Sequence, residues 1–264
     1  MKKLIKTLVV SYALLAGFVN AQNANELPIL DVIVGTEGVM KPFTYYDDNH
    51  QLTGFDVDVV KAIGEIDPNL HFTFKTATWD ALFPGLDAGH YHVLANQIAH
   101  NEHREKNYLL TDEIYFQGST QPITLAERAK EFPKIENLKG KKVAAGVGSN
   151  HSLVLEDWNK KNGNEIKIVY YDGDVGVMFQ ELINYRVDAV MNSPVTASEQ
   201  AKANNIEISP VGQPFYDAKI HLILAKNTES EVIKKRLDAA LRQLHNNGTL
   251  SKLSIQYFGQ DLTK

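Results

Sequence analysis

Arg104 follows a short apolar run ending in Asn96-Gln97-Ile98, crosses the turn Ala99-His100-Asn101, and stands beside Glu102 at a helix start. A strand end feeding a helix N-terminus gathers free backbone N–H groups, and arginine adds a planar fork of donors; together they suit a carboxylate held by two parallel hydrogen bonds. The competing reading is a surface salt bridge. Gly148-Ser149-Asn150, after the apolar run Val143–Val147, repeats the device with a glycine turn, hydroxyl and amide groups, and a helix start. A plain Ser/Asn cap accounts for it equally well. Trp79, immediately before another helix, reads either as core or as the aromatic wall of a cleft. Two anion-friendly helix starts, far apart in the chain, suggest a carboxylate clamped between two bodies.

Other candidates carry less chemistry. There is no GxSxG, GxxxxGK[ST] or HExxH. Gly35-Thr36-Glu37-Gly38 follows a strand but lacks the third glycine of a dinucleotide fingerprint, leaving Glu37 as the obvious cleft acid. His90, His92, His100 and His103 have no tight ligand spacing, so neither a metal site nor a cofactor is expected. Asp56 and Asp58 in GFDVD read as helix N-terminal caps rather than an acid/base pair.

The elements around these residues follow from composition and pattern. The chain has 264 residues, 44% hydrophobic and 22% charged, a net charge of −5 and no cysteine. Disulfide scaffolds, thiolate metal sites and cysteine nucleophiles are excluded, and no basic footprint for nucleic acid is present. Residues 1–21 carry Lys2, Lys3 and Lys6, then an apolar stretch, then Val19-Asn20-Ala21, the pattern of a cleaved signal peptide. Its removal takes away three lysines and no acid, so the mature chain carries −8 and is expected free in the periplasm. Short apolar runs at residues 30–35, 71–77, 93–98, 142–147, 166–171, 187–192 and 219–225 read as strands. Helix-period segments at 57–66, 79–88, 152–161, 175–185, 195–203, 230–246 and 250–257 alternate with them, which predicts an α/β protein with largely parallel sheets. Breaks at residues 116–140 and 212–216 suggest two lobes crossed twice. Residues 25–115 plus 215–264 would form lobe 1, residues 116–214 lobe 2, with a hinge and a ligand cleft between them.

With these residues in place, the chain resembles the periplasmic solute-binding proteins of polar amino acid ABC importers (extracellular solute-binding family 3). The resemblance covers essentially the whole mature length. Five segments carry it in order: VGTEGVMKPFTYYDDNHQLTGFDVDVVKAIGE, WDALFPGLDAGHYHVLANQIAHNEHREKNYLLTDEIYF, ENLKGKKVAAGVGSNH, YRVDAVMNSPV and LRQLHNNGTLSKLSIQYFGQDLTK. Trp79-Asp80, Asn96-Gln97, Gly148-Ser149-Asn150 and the ending Tyr257–Asp261 look most like cystine-type members. The resemblance implies a two-lobed periplasmic binding protein fold (type II), α/β in both lobes with a two-strand hinge, closing over one amino acid. It also implies a monomer that serves an inner-membrane ABC permease. In that family the position of Arg104 takes the ligand α-carboxylate with help from Ser149/Asn150. Trp79 lines the side-chain wall, Asn96 and Gln97 supply backbone and amide groups, and Glu37 lies at the cleft. Two positions depart from the pattern. Ala99 stands where Ser or Thr is usual, leaving a backbone N–H alone, and Ser193 stands where an Asp usually binds the ligand ammonium, a role that Glu37 or Asp217 would have to fill. A cyclohexadienyl dehydratase-like lyase on the same scaffold is the enzyme alternative.

Overall fold

The computed structural model describes residues 27–215 and 217–264; the expected leader lies outside them. Strand β1 (Leu30–Thr36) is followed by a small meander, β2 (Val39–Met40), β3 (Thr44–Tyr46) and β4 (Leu52–Thr53). Then come α1 (Phe55–Ile66), β5 (Leu70–Thr76), α2 (Trp79–Asp87), β6 (Val93–Leu94), α3 (Glu102–Asn107) and β7 (Tyr108–Leu110). The chain crosses on β8 (Phe116–Ser119). It then builds β9 (Gln121–Leu125), β10 (Lys142–Gly146), α4 (Asn150–Lys161), β11 (Lys167–Tyr171), α5 (Val175–Ile183), β12 (Ala189–Asn192), α6 (Pro194–Asn204) and β13 (Ile208–Pro210). It returns on β14 (Asp217–Ile220) and closes with β15 (Ile223–Ala225), α7 (Thr228–Asn246) and α8 (Thr249–Phe258).

Two five-stranded sheets result, ordered β5-β1-β6-β15-β7 and β11-β10-β12-β9-β13. In the first, Val32 and Val34 of β1 face a core built with Phe55, Val59 and Ile63 of α1 and Leu237 and Leu241 of α7. The opposite face packs on Leu82 and Leu86 of α2. The second sheet divides its strand residues in the same way. Val143 and Ala145 of β10 meet Leu155 of α4, while Ala144 between them meets Met178, Phe179 and Leu182 of α5. Each sheet is covered on both faces, which is what apolar runs without polar alternation require.

The expectation of largely parallel sheets needs correcting. β1 pairs in parallel with β5 and β6, and β10 with β11 and β12. The strands beside the crossings, β9, β13, β7 and β15, pair antiparallel. The chain enters and leaves each lobe on adjacent paths running in opposite directions, so the strands at those paths cannot all point one way. The run at 219–225 likewise divides. β14 pairs with β8 in register Phe116↔Ile220 to Ser119↔Asp217. At His221-Leu222 the backbone N–H of Leu222 turns to Thr111 Oγ1 (3.2 Å), and β15 joins the first sheet instead.

The base of the first lobe is tied by Arg236, only 6% exposed on α7. Its Nε and Nη2 donate to both Asp67 oxygens at 2.6 Å, and Nη1 donates to the Pro28 carbonyl at 2.5 Å. The guanidinium holds the Asp67 carboxyl below the ordinary carboxylate range, so the pair stabilises the fold above that range and is lost as pH falls through it. We expect Arg236→Ala to cost about 3 kcal/mol, because it leaves a carboxylate largely cut off from solvent without its partner. Urea unfolding followed by far-UV circular dichroism checks this, and an unchanged midpoint contradicts it.

Candidate functional site

A cleft of about 1020 Å³, mouth included, lies where the two sheets face each other across β8 and β14. Glu37, Trp79, Asn96, Gln97, Ala99, Arg104, Ser149, Asn150 and Ser193 all line it. The side chain of Asp217 lies outside the described residues.

Arg104 is buried because its helix is short and pinned from below. Asn101 Oδ1 accepts the Arg104 backbone N–H at 2.8 Å as the α3 cap, and Arg104 Nη1 donates to the Ala99 carbonyl at 2.7 Å. The guanidinium also lies over the rings of Trp79 (5.6 Å) and Phe83 (5.5 Å), whose faces attract a cation. It is therefore a fixed donor in the cleft wall, and the surface salt bridge reading does not hold for a residue 5% exposed. Across the cleft, Ser149 Oγ accepts the Ser152 N–H (3.1 Å) as the α4 cap while also lining the cavity. Capping and cleft-lining, posed by the sequence as alternatives, coexist in one residue.

Glu37 extends from the end of β1. Asn96 Nδ2 donates to Glu37 Oε2 at 2.6 Å, and Asn96 Oδ1 accepts from the Glu37 backbone N–H (2.8 Å) and Thr36 Oγ1 (3.0 Å). Burial raises the Glu37 pKa, Asn96 opposes that rise, and the charges of Asp174 and Asp80 add to it. The Asn96 amide thus orients Glu37 while itself lining the cleft. Ser193 is also committed. Its Oγ accepts the Thr196 N–H (3.1 Å) and shares a hydrogen bond with Thr196 Oγ1 (2.9 Å), which makes it the α6 cap.

Asp56 corrects the capping expectation. The first amides of α1 are taken by loop carbonyls, Phe55 N–H by Pro42 and Asp56 N–H by Phe43, each at 3.0 Å. Gly54 is the cap residue, and no side chain caps the helix. The Asp56 carboxyl, 1% exposed, instead accepts the Gln97 backbone N–H (2.8 Å) and side-chain amide (2.6 Å). Burial raises its pKa to about 7, against the lowering by Gln97. The folded state therefore favours the protonated form, and the stability this contributes below the ordinary carboxylate pKa is lost as pH rises through about 7. Asp58 meets the Tyr257 hydroxyl at 2.5 Å and Lys61. The histidines separate as well: His92 Nδ1 accepts from the Ile33 N–H (2.8 Å), while His100 pairs with Glu105 (3.2 Å). Among the described residues no group of three or more His, Asp or Glu could hold a metal ion.

Of the cleft residues that the sequence reading did not name, two bear most on its charge. His151 joins Thr120 between β8 and β9 (Nδ1 to Oγ1, 2.8 Å), and burial together with the Arg104 charge lowers its pKa to about 4, so it is neutral near pH 7. Asp174 caps α5 through Gly176 N–H (2.8 Å) and faces Glu37's side of the cleft. Its signal was available, since Tyr171-Asp172-Gly173-Asp174 is a strand end, a glycine turn and a cap, like the Gly148-Ser149 start.

Comparison with known proteins bears on the fold and the family. The L-cystine-binding protein TcyK of Bacillus subtilis (strain 168) is 29% identical over 241 residues, covering 91% of this chain and 88% of that protein. The solved structure of a putative L-cystine ABC transporter from Listeria monocytogenes matches with a TM-score of 0.81 and 31% identity, covering 89% of this chain and 99% of that one. An ancestral amino acid-binding protein, AncCDT-1, a precursor of cyclohexadienyl dehydratase, shares the fold with a TM-score of 0.74 and 25% identity, over 86% of this chain and 95% of that one. The fold is the two-lobed type II periplasmic binding protein fold. With residues 32–260 matched by the model of the bacterial extracellular solute-binding proteins, family 3, the chain belongs to that family.

Proposed function

We propose that this chain is the amino acid-binding component of an ABC importer, working in the periplasm and taking up cystine or a related polar amino acid between two lobes that close on it. The observation that carries the reading is Arg104, a buried and rigidly held cation in the cleft wall facing the start of α4 from the other lobe. The ligand α-carboxylate binds the guanidinium, aided by the helix start at Ser149 and Asn150. Glu37 takes the ammonium, with Asp174 supplying a second negative charge nearby. Ser193, engaged as a helix cap, contributes little. Closure follows because the ligand touches both lobes and so binds the closed state more tightly. The ligands named for relatives, L-cystine among them, support the substrate class. A membrane permease would carry the ligand onward, as the ABC-transporter names of relatives support. The lyase reading draws on one observation, the raised pKa of Glu37; turnover of arogenate or prephenate would establish it, and thermal stabilisation by amino acids without turnover would dismiss it.

We expect Arg104→Ala to weaken cystine binding by roughly two to four powers of ten, the result of leaving a buried carboxylate unpaired. Arg104→Lys should recover only part of this, because a point charge cannot make two parallel hydrogen bonds. Titration calorimetry giving wild-type affinity for the alanine variant would remove Arg104 from the site. Glu37→Gln should weaken binding about two- to thirtyfold, since hydrogen bonds to charged groups exceed neutral ones by about that margin, and it should cost more than Ser193→Ala. Near-unchanged affinity would move the ammonium elsewhere. Trp79, under the guanidinium, should change its fluorescence when ligand binds, whereas Trp158, packed with Phe215 in the second lobe (6.4 Å), should not. Full retention of the signal in Trp79→Phe would contradict this.

A further inference from the structure

Gln97 has φ +50°, a left-handed conformation that costs a residue with a Cβ and that glycine takes freely. This turn ends β6 after two residues, where the sequence pattern predicted a strand to 98. It also separates the two charged ends of the cleft. On one side Asn96 holds Glu37; on the other the Ala99 carbonyl holds Arg104. The spacing of the carboxylate and the guanidinium therefore passes through one strained residue, and both groups that fix it, backbone N–H and side-chain amide, end on the Asp56 carboxyl.

Resting on the amino acid-binding reading, we propose that Asp56, which does not line the cleft, is a positioning residue: its ionised carboxylate staples Gln97 in the left-handed turn and thereby makes ligand capture depend on pH. A carboxylate offers acceptors to both donors, whereas a carboxylic acid turns one oxygen into a donor and loses one of the two bonds. With its pKa raised to about 7 by burial, the group changes state in the neutral range. Its surroundings add no charge that would mask this. Among the described residues, the Tyr115 hydroxyl is the titratable group beside it, fully buried on the segment leading into β8 and near enough to favour the Asp56 carboxylate. Burial and the Asp56 carboxyl hold that hydroxyl well above the ordinary tyrosine range, so it stays neutral. The neighbouring carboxylate, Asp58, is engaged with Tyr257 and Lys61.

The test uses the full mature chain with L-cystine as probe. In the ligand-free protein, the backbone and side-chain amide NMR signals of Gln97 should titrate with a midpoint near pH 7, and this titration should vanish in Asp56→Asn. For the wild type, affinity should be about tenfold weaker at pH 6 than at pH 7.5, following the fraction of molecules that carry the carboxylate. Asp56→Asn should bind about tenfold more weakly at pH 7.5 and lose that pH dependence, its melting temperature showing that it is folded. Adding Gln97→Gly to Asp56→Asn should recover part of the loss, because glycine needs no staple at this φ. Gln97 amides that do not titrate, or an Asp56→Asn variant with wild-type affinity and pH profile, would overturn the proposal; the wild-type titration decides even if the variant does not fold. Amides that titrate in a protein that binds no amino acid would support the staple while refuting the functional reading.

Discussion

Everything in the cleft depends on the antiparallel pairing of β8 with β14. These four-residue strands carry the chain out of the first lobe and back, in register from Phe116↔Ile220 to Ser119↔Asp217. Their first-lobe end is anchored in an aromatic cluster: Phe116 packs on Phe43 (5.4 Å), Phe55 (5.6 Å) and Phe258 (5.2 Å). Such a cluster resists shear, because each ring is held edge-on by others. The second-lobe end passes through Thr120, which is bonded to His151 at the start of α4. One lobe thus meets the crossing through rigid apolar packing, the other through a polar contact beside the binding cavity.

The cleft is also where the protein holds its charges in the least favourable surroundings. Burial raises Glu37 and lowers His151, and the Arg104 guanidinium is itself buried beside aromatic rings and the Ala99 carbonyl. Each of these groups would be better hydrated in an open chain, and the rest of the fold must offset that cost. The gain is preorganisation: charges of both signs stand fixed in the cleft wall in advance. The two lobes supply these charges differently. The first contributes side chains held by second partners, Arg104 by Ala99 and Glu37 by Asn96. The second contributes helix starts, at Ser149, Asp174 and Ser193, whose backbone groups are fixed by the helices themselves.

Much of this architecture was legible in the sequence because the signals are local. Apolar runs mark strands, 3.6-residue periodicity marks helices, and caps such as Ser149 and Asn101 act within three residues of themselves. Local information therefore sufficed for the strand–helix alternation, for the break between two lobes, and for Arg104 at a helix start as a carboxylate candidate. Partners remote in the chain were decided only by the tertiary structure. Asp56 carries the residue type and position of a helix cap, yet its helix is capped by loop carbonyls and its carboxyl turns to Gln97, 41 residues away. Asn96 carries the residue type of a ligand-binding amide, and only the fold shows that it also holds Glu37, 59 residues away. Strand direction at the crossings and the charge state of buried groups belong to the same class. They depend on which surfaces exclude water from one another, and that is a property of the assembled lobes rather than of any stretch of chain.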